Sequence, residues 1–323
     1  MLIQSKFLRI MRFRRLVIGI IFCIIGLCLT EAILRLLNYP YVGCTSLDEV
    51  SEYGIGQYDN DLGWIYSHPR STITPWDRKT YTFNVEGYRV KEVEDSTDYT
   101  KPTILIIGDS FLFGNGLSFE ETFGYKLQQK LKNTYNVINF AVQGYGLDQA
   151  YLRLQKVMPL YTPRYVIVDI HEDQDYRNAN WDRRSLFPCS RFIGTKPMFV
   201  FKRNQLTLAH RPERFETFDN PRLKLLWNRF QDVLHQKYSP KIDVSRAIYQ
   251  HVKTYVREYG AQLFEINYLM NIRDYQIDPH SASASAIVVD YGKEYMIDSV
   301  HPNDQATSQM VDDFMNKFSS QIH

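Results

Sequence analysis

Thr103-Ile104-Leu105-Ile106-Ile107-Gly108-Asp109-Ser110-Phe111 reads as a buried strand that ends on a turn. The run from Ile104 to Ile107 has no polar gap, so both of its faces need cover, as in a parallel sheet with helices on each side. Gly108 ends the run, and Ser110 falls just beyond the strand's carboxyl end, where open α/β sheets hold their ligands. The same pattern recurs at 137–140, 165–170, 262–269 and 286–289. Amphipathic segments separate these runs. Residues 119–132 carry Phe123, Leu127 and Leu131 at four-residue spacing, and 147–158 stop before Pro159. Val244, Ile248, Val252 and Tyr255 line one face of 244–259, which Gly260 ends, and 304–318 form a closing helix. The expected fold class is α/β, a three-layer α/β/α arrangement around a mostly parallel sheet.

A serine hydroxyl is a poor nucleophile at neutral pH unless a base takes its proton, and that base must be oriented by a third group. Near the other end of the chain lies Asp298-Ser299-Val300-His301-Pro302-Asn303. Its carboxylate and imidazole are three residues apart and fit on one loop. Ser110, Asp298 and His301 thus supply a nucleophile, an orienting acid and a base in the chain order Ser, Asp, His. In isolation either string is more often a turn or a surface loop; the sheet context gives them chemical meaning.

A third block, Asn136-Val137-Ile138-Asn139-Phe140-Ala141-Val142-Gln143-Gly144-Tyr145-Gly146, puts a glycine after the second core strand. With these three blocks, roughly residues 99 to 320 resemble the SGNH hydrolase superfamily, also called GDSL-type esterases. The resemblance implies a flavodoxin-like sheet, an acyl-enzyme on Ser110, His301 as base, Asp298 as its partner and Gly144 as an oxyanion donor, with no cofactor and no metal. Asp109 reads as a structural hydrogen-bonder that fixes the serine turn. One block departs from the family pattern. After strand 165–170 comes His171-Glu172-Asp173-Gln174-Asp175, and Glu172 stands where the family has an oxyanion-donating Asn. An ionised carboxylate cannot donate a hydrogen bond and repels a developing oxyanion. Three arrangements stay open: Glu172 protonated by burial, a donor from Gln174, Asn178 or His171, or a hole made only by the backbone N–H groups of Ser110 and Gly144.

Residues 1–15 contain Lys6, Arg9, Arg12, Arg14 and Arg15 and no acid. Residues 16–37 follow as an apolar stretch broken by Glu31 and Arg35, which are four apart on one helix face. A span needs about 20 mostly apolar residues, so the expectation is a signal anchor with the basic flank in the cytoplasm and the rest of the chain extracytoplasmic, periplasmic in a Gram-negative cell. The rival reading is a cleaved signal peptide, for which 30–32 make a poor cleavage site. The formal net charge is +2, and the tail's positive charges leave the remainder slightly acidic. That excludes a nucleic-acid-binding stripe.

The expected organisation is a basic tail (1–15), a transmembrane anchor (16–37), an aromatic-rich wrapping region (38–98) and one hydrolase-like domain (99–323). An insertion at about 180–242 contains a β-hairpin and a helix, and fits either substrate selection or a structural cap. Cys44 and Cys189 are a possible disulfide in an oxidising compartment. Within the wrapping region, Asp61-Leu62-Gly63-Trp64 and Asn84-Val85-Glu86-Gly87-Tyr88-Arg89 look like segments of membrane-anchored relatives. The leading expectation is a serine esterase or O-acyltransferase acting on an acylated small molecule or cell-surface glycan. The alternative is a membrane-tethered glycan-binding or scaffold protein on the same fold, which would not turn over a short-chain acetyl ester.

Overall fold

The structure, a computed structural model, describes residues 2–39, 56–66, 69–74, 78–132, 134–183, 193–214, 221–238, 241–269, 285–290, 292–298 and 300–322. Cys44 and Cys189, and with them the expected disulfide, lie outside the described residues.

Helix α1, Leu2–Leu36, comes first. Within it Met11–Leu36 is long and apolar enough to cross a membrane, the length and composition of a span or of a signal sequence. Glu31 and Arg35 pair along its face, Nε to Oε1 at 2.7 Å. Next come an antiparallel hairpin, β1 (Gly56–Asp59) and β2 (Gly63–Tyr66), and a small sheet of β3 (Arg70–Ile73), β4 (Thr80–Phe83) and β5 (Arg89–Val90).

The central unit begins at β6, Thr103–Ile107, and its one-turn helix α2, Ser110–Phe113. It continues through α3 (Phe123–Lys130), β7 (Asn136–Asn139), α4 (Leu147–Tyr161), β8 (Tyr165–Ile170) and α5 (Asp173–Asn178). A hairpin, β9 (Met198–Lys202) and β10 (Gln205–His210), precedes helices α6 (Arg222–Tyr238) and α7 (Lys241–Glu258). Strands β11 (Gln262–Tyr268) and β12 (Ala286–Val289) and helix α8 (Asp304–Phe318) complete it.

Five of these strands form one sheet in the order β7-β6-β8-β11-β12, every pair parallel. Numbered along the core this is 2-1-3-4-5, the flavodoxin-like order, whose switch point lies between the first and third strands. The strand preceding Ser110 is therefore at the switch point. Side chains alternate across the sheet as strand geometry requires. Ile104 and Ile106 join Phe264, Ile266, Phe314 and Phe318 on the α3–α8 face. Leu105 and Ile107 join Val166, Val168, Leu154 and Ile248 on the α4–α7 face. The three-layer α/β/α expectation is what the structure shows.

Two of the departures from the expected element boundaries have an identifiable physical reason. Segment 119–132 is not one helix. Ser118 and Glu121 form a capping box around a single 3-10 turn, and Thr122 then caps α3, its Oγ1 accepting from Tyr125 N at 3.3 Å. Helix α4 runs through Pro159 to Tyr161. Proline there cannot donate to the carbonyl of Gln155, four residues back. Tyr255 Oη of α7 donates to that carbonyl instead, at 3.4 Å.

The expected insertion has two separate placements. The β9–β10 hairpin turns at Arg203 and Asn204, both with positive φ, as a two-residue type I′ turn requires. Phe199, Phe201, Leu206 and Leu208 pack it into the α4–α7 core. Helix α6 attaches to α1 through its N-terminus.

Candidate active site

Ser110 opens α2 just after β6. Gly108 takes φ +149°, and a side chain there would run into the Asp169 carboxylate of β8. This close approach of two strands requires glycine. Asp109 caps α2, its Oδ1 accepting from Phe111 N at 3.0 Å. At the other end Arg89 donates from Nη1 to the carbonyls of Phe113 (2.8 Å) and Gly114 (2.9 Å) and from Nη2 to that of Leu117 (2.5 Å). Its guanidinium lies 4.6 Å from the Tyr81 ring centroid and 4.9 Å from that of Phe113. Phe113 also stacks on Tyr66 and Tyr81. A helix of one turn has almost no intrinsic stability; these contacts hold it in place.

The loop between β12 and α8 brings in Asp298 and His301. It is closed by Ile297 N donating to His301 O and Asn303 N to Tyr295 O, both at 2.8 Å. Asn303 caps α8, accepting from Ala306 N at 2.9 Å. Fully buried Phe314 and Phe318 pin that helix to the sheet, each contributing about 1.5–3 kcal/mol by burial. His301 Nε2 lies 2.9 Å from Ser110 Oγ, and His301 Nδ1 lies 2.7 Å from Asp298 Oδ2. Asp298 Oδ1 accepts from the N–H groups of Val300 and His301, both at 2.8 Å. Partial burial pushes the Asp298 carboxyl up, but the His301 N–H and imidazole and the Val300 N–H outweigh it, so it is held below its ordinary value. The carboxylate thus presents an acceptor to His301 Nδ1 while Nε2 faces Ser110 Oγ. Phe111 packs beside the imidazole, with centroids 5.3 Å apart.

Gly144 lies on the turn after β7 with φ +74°. The segment around Trp64 braces that turn. Gln143 N donates to Tyr66 Oη at 2.8 Å, Trp64 Nε1 to Gln143 O at 3.1 Å, and Tyr145 Oη to Trp64 O at 2.6 Å. The two wrapping-region motifs thus have physical roles. The one around Trp64 holds the glycine turn, and the one ending in Arg89 holds the serine turn. Among the described residues no protein acceptor takes the backbone N–H of Ser110 or of Gly144.

Glu172 sits before α5, half-buried, with Oε2 buried and without a hydrogen-bond partner among the described residues. No hydrogen bond joins it to Ser110, Gly144 or His301. Each of the three alternative side chains already has one partner elsewhere. Gln174 Nε2 points to Asp169, Asn178 Nδ2 donates to Ser245 Oγ at 2.8 Å, and His171, fully buried, directs Nε2 at Asp109 Oδ2 at 2.6 Å. His171 Nδ1, however, is buried with no partner among the described residues, so all three arrangements stay open.

Beneath the serine turn lies a buried network that sequence reading assigned only in part. Asp109 Oδ2 takes both His171 Nε2 and Arg177 Nη1, and Asp109 N donates to Asp169 Oδ2 at 3.2 Å. Arg177 also donates to Tyr145 O at 3.0 Å and to Asp173 Oδ2 at 3.1 Å. Burial pushes the Asp109 carboxyl up, but His171 and Arg177 overcome it and hold it far below its ordinary value. Burial and the adjacent Asp109 charge push Asp169 well above its ordinary value. The two acids are pushed in opposite directions, as two like charges in one site require. Asp109, Asp169 and His171 are close enough together to ligate a metal, but the Arg177 guanidinium already supplies the positive charge at Asp109.

No protein-family model matches the chain, and no curated protein matches it. Solved structures do match in part. The psychrotrophic esterase EstA from Pseudoalteromonas sp. is 16% identical, covering 69% of this chain and 99% of its own, with a TM-score of 0.41. TesA is 15% identical over 68% of this chain and 98% of its own, with a TM-score of 0.39. The acetyl xylan esterase AlAXEase is 12% identical over 66% of this chain and 98% of its own, with a TM-score of 0.38.

Proposed function

We propose that this chain is a serine esterase or O-acyltransferase of the SGNH type that works through an acyl-Ser110 intermediate. The observation that carries the reading is the hydrogen-bonded series Ser110 Oγ, His301 Nε2, His301 Nδ1 and Asp298 Oδ2. Ser110 Oγ attacks the ester carbonyl carbon while Nε2 takes its proton. The tetrahedral oxyanion faces the unpaired N–H groups of Ser110 and Gly144. Collapse expels the alcohol, which leaves with the proton from Nε2, and the acyl group stays on Ser110. Water or a sugar hydroxyl then attacks, giving its proton to Nε2, and Oγ departs with that proton. Water makes the chain an esterase; a sugar hydroxyl makes it a transferase. An acetyl ester of a cell-surface glycan fits an extracytoplasmic domain held by α1. The test is burst kinetics with a chromogenic acetyl ester, with and without sugar acceptors. Absence of any burst or turnover would favour the scaffold alternative.

Asp298→Asn is expected to reduce the rate by less than the ~10⁴ that a buried triad aspartate is worth. The Asp298 side chain is about half exposed, at 49%, so solvent screens its charge. An amide retains acceptor capacity toward the loop N–H groups, and kcat for the same ester measures the outcome. A loss as large as that of Ser110→Ala would place Asp298 in covalent chemistry rather than orientation.

Glu172→Asn is expected to raise the acylation rate by at most ~10²-fold, the lower end of what one oxyanion donor contributes. The motive is that a carboxylate cannot donate a hydrogen bond where the family pattern has an Asn. Pre-steady-state burst rates read this directly, and an unchanged rate would place Glu172 outside the hole.

A further inference from the structure

Helix α6 is built the wrong way round for a surface helix. Such a helix normally turns its apolar stripe to the core and its polar face to water. Here Arg222, Leu225 and Asn228 face inward and are buried, with Asn228 Nδ2 donating to Asp182 Oδ2 at 3.3 Å. The outward side carries Trp227, Phe230, Val233 and Leu234, exposed by 57%, 51%, 64% and 37%. These residues recur at helical spacing, and the Trp227 and Phe230 rings lie 5.7 Å apart. They form a contiguous aromatic and aliphatic strip, which marks an interaction surface.

Its position identifies the occupant. The first N–H groups of α6 are capped by a residue of α1: Arg222 N and Leu223 N donate to the two carboxylate oxygens of Glu31, at 2.9 and 3.0 Å. Arg222 Nη2 also reaches Asn38 Oδ1, at 3.2 Å. Glu31 lies five residues before the end of α1, about 7.5 Å along the axis at 1.5 Å per residue. The apolar stretch of α1 is itself bare, with Ile33, Leu36 and Leu37 exposed. Helix α6 therefore starts at the outer end of the stretch that would cross the bilayer, within the ~5–10 Å depth at which interfacial helices lie. Trp at such a boundary fits both the apolar and the wet side.

We infer that α6 is an interfacial helix. Its strip of Trp227, Phe230, Val233 and Leu234 inserts into the headgroup and acyl boundary of the membrane that α1 crosses, and its inner face carries the enzyme-like domain. This rests on reading α1 as a membrane span. It gives the chain two membrane contacts, which fix the domain's orientation where a lone span would leave it free to swivel.

The test uses the full-length protein in phosphatidylcholine vesicles, with and without acyl-chain-brominated phosphatidylcholine. The chain has four tryptophans, none in α1, so the span itself cannot report. The difference in emission between the parent and Trp227→Phe isolates Trp227. Bromolipid is expected to remove that difference by about twofold or more, and Phe230→Ser with Val233→Ser to weaken the quenching while leaving ester turnover in detergent unchanged. Trp227 that is unquenched by bromolipid and open to aqueous iodide overturns the inference. Trp227 shielded from both also overturns it, and points to a protein occupant such as a second copy. Failure of the full-length chain to float with vesicles overturns the membrane reading of α1 together with it, an outcome separable from flotation without quenching.

Discussion

Ser110→Ala is expected to reduce turnover of a short-chain acetyl ester by on the order of 10⁶-fold, and His301→Ala by a similar factor. Residues that act as one nucleophile–base unit fail together, so removing either costs about as much as removing both. The geometry makes Ser110 hard to replace. It is 7% exposed, it opens a helix of one turn, and its Oγ is the group within hydrogen-bond reach of His301 Nε2. Alanine keeps the turn intact, because the caps on α2 come from the Asp109 side chain and from Arg89, not from the serine hydroxyl. The variant should therefore unfold at the parent's denaturant midpoint while losing activity, and should no longer take up a phosphonate ester as a covalent adduct. Ester turnover at the parent's rate in purified Ser110→Ala would remove the nucleophile assignment, and the proposed function with it.

What the sequence made legible follows from how local each signal is. The core strands are continuous apolar runs, and the closing helix begins at an Asn cap, so Thr103–Ile107, Tyr165–Ile170, Ala286–Val289 and Asp304–Phe318 can be read to the residue. The capping box at Ser118 and Glu121 was also local and could have split segment 119–132 beforehand. The extension of α4 past Pro159 could not be read, because the donor that satisfies Gln155 is one hundred residues away on α7. The same distinction applies at the site. Ser110, Asp298, His301 and Gly144 stand in short motifs. The partners beneath them come from far along the chain: Asp109 meets Arg177 across 68 residues, and Tyr66 meets Gln143 across 77. Glu172 shows the limit from the other side, since its motif position was clear but its orientation depended on the fold. The inverted face of α6 is visible as a helical pattern in sequence, but only the fold shows that its aromatic side points outward.

Arg177→Met is expected to lower the free energy of unfolding by about 3–5 kcal/mol, the cost of leaving a buried charge without its partner. The Arg177 side chain is only 10% exposed, so solvent does little to compensate Asp109 once the guanidinium is gone. Asp109→Asn combined with Arg177→Met should cost less than the sum of the single changes, because both ends of the pair are then neutral. Acid titration supplies a second signature. A carboxyl depressed in the folded state contributes stability above its unfolded value of about 3.9 and loses it as pH falls toward its folded value; Asp109 is such a group. Asp169, raised by burial and by Asp109, acts in the opposite sense: its contribution is present below the unfolded value and is lost as pH rises through its folded one. Without Arg177 the Asp109 carboxyl is less depressed, so the acid-side loss of stability should become shallower. Catalysis should respond as well, since Arg177 ties the cap of the serine turn to the carbonyl of Tyr145, next to Gly144. Misplacing reacting groups by about 1 Å costs up to ~10² in rate. Arg177→Lys keeps the charge but not the two-pronged fork, so it should restore stability more fully than kcat. An unfolding midpoint for Arg177→Met equal to that of the parent would mean that Asp109 is adequately held by His171 alone, and that the two turns are fixed independently of each other.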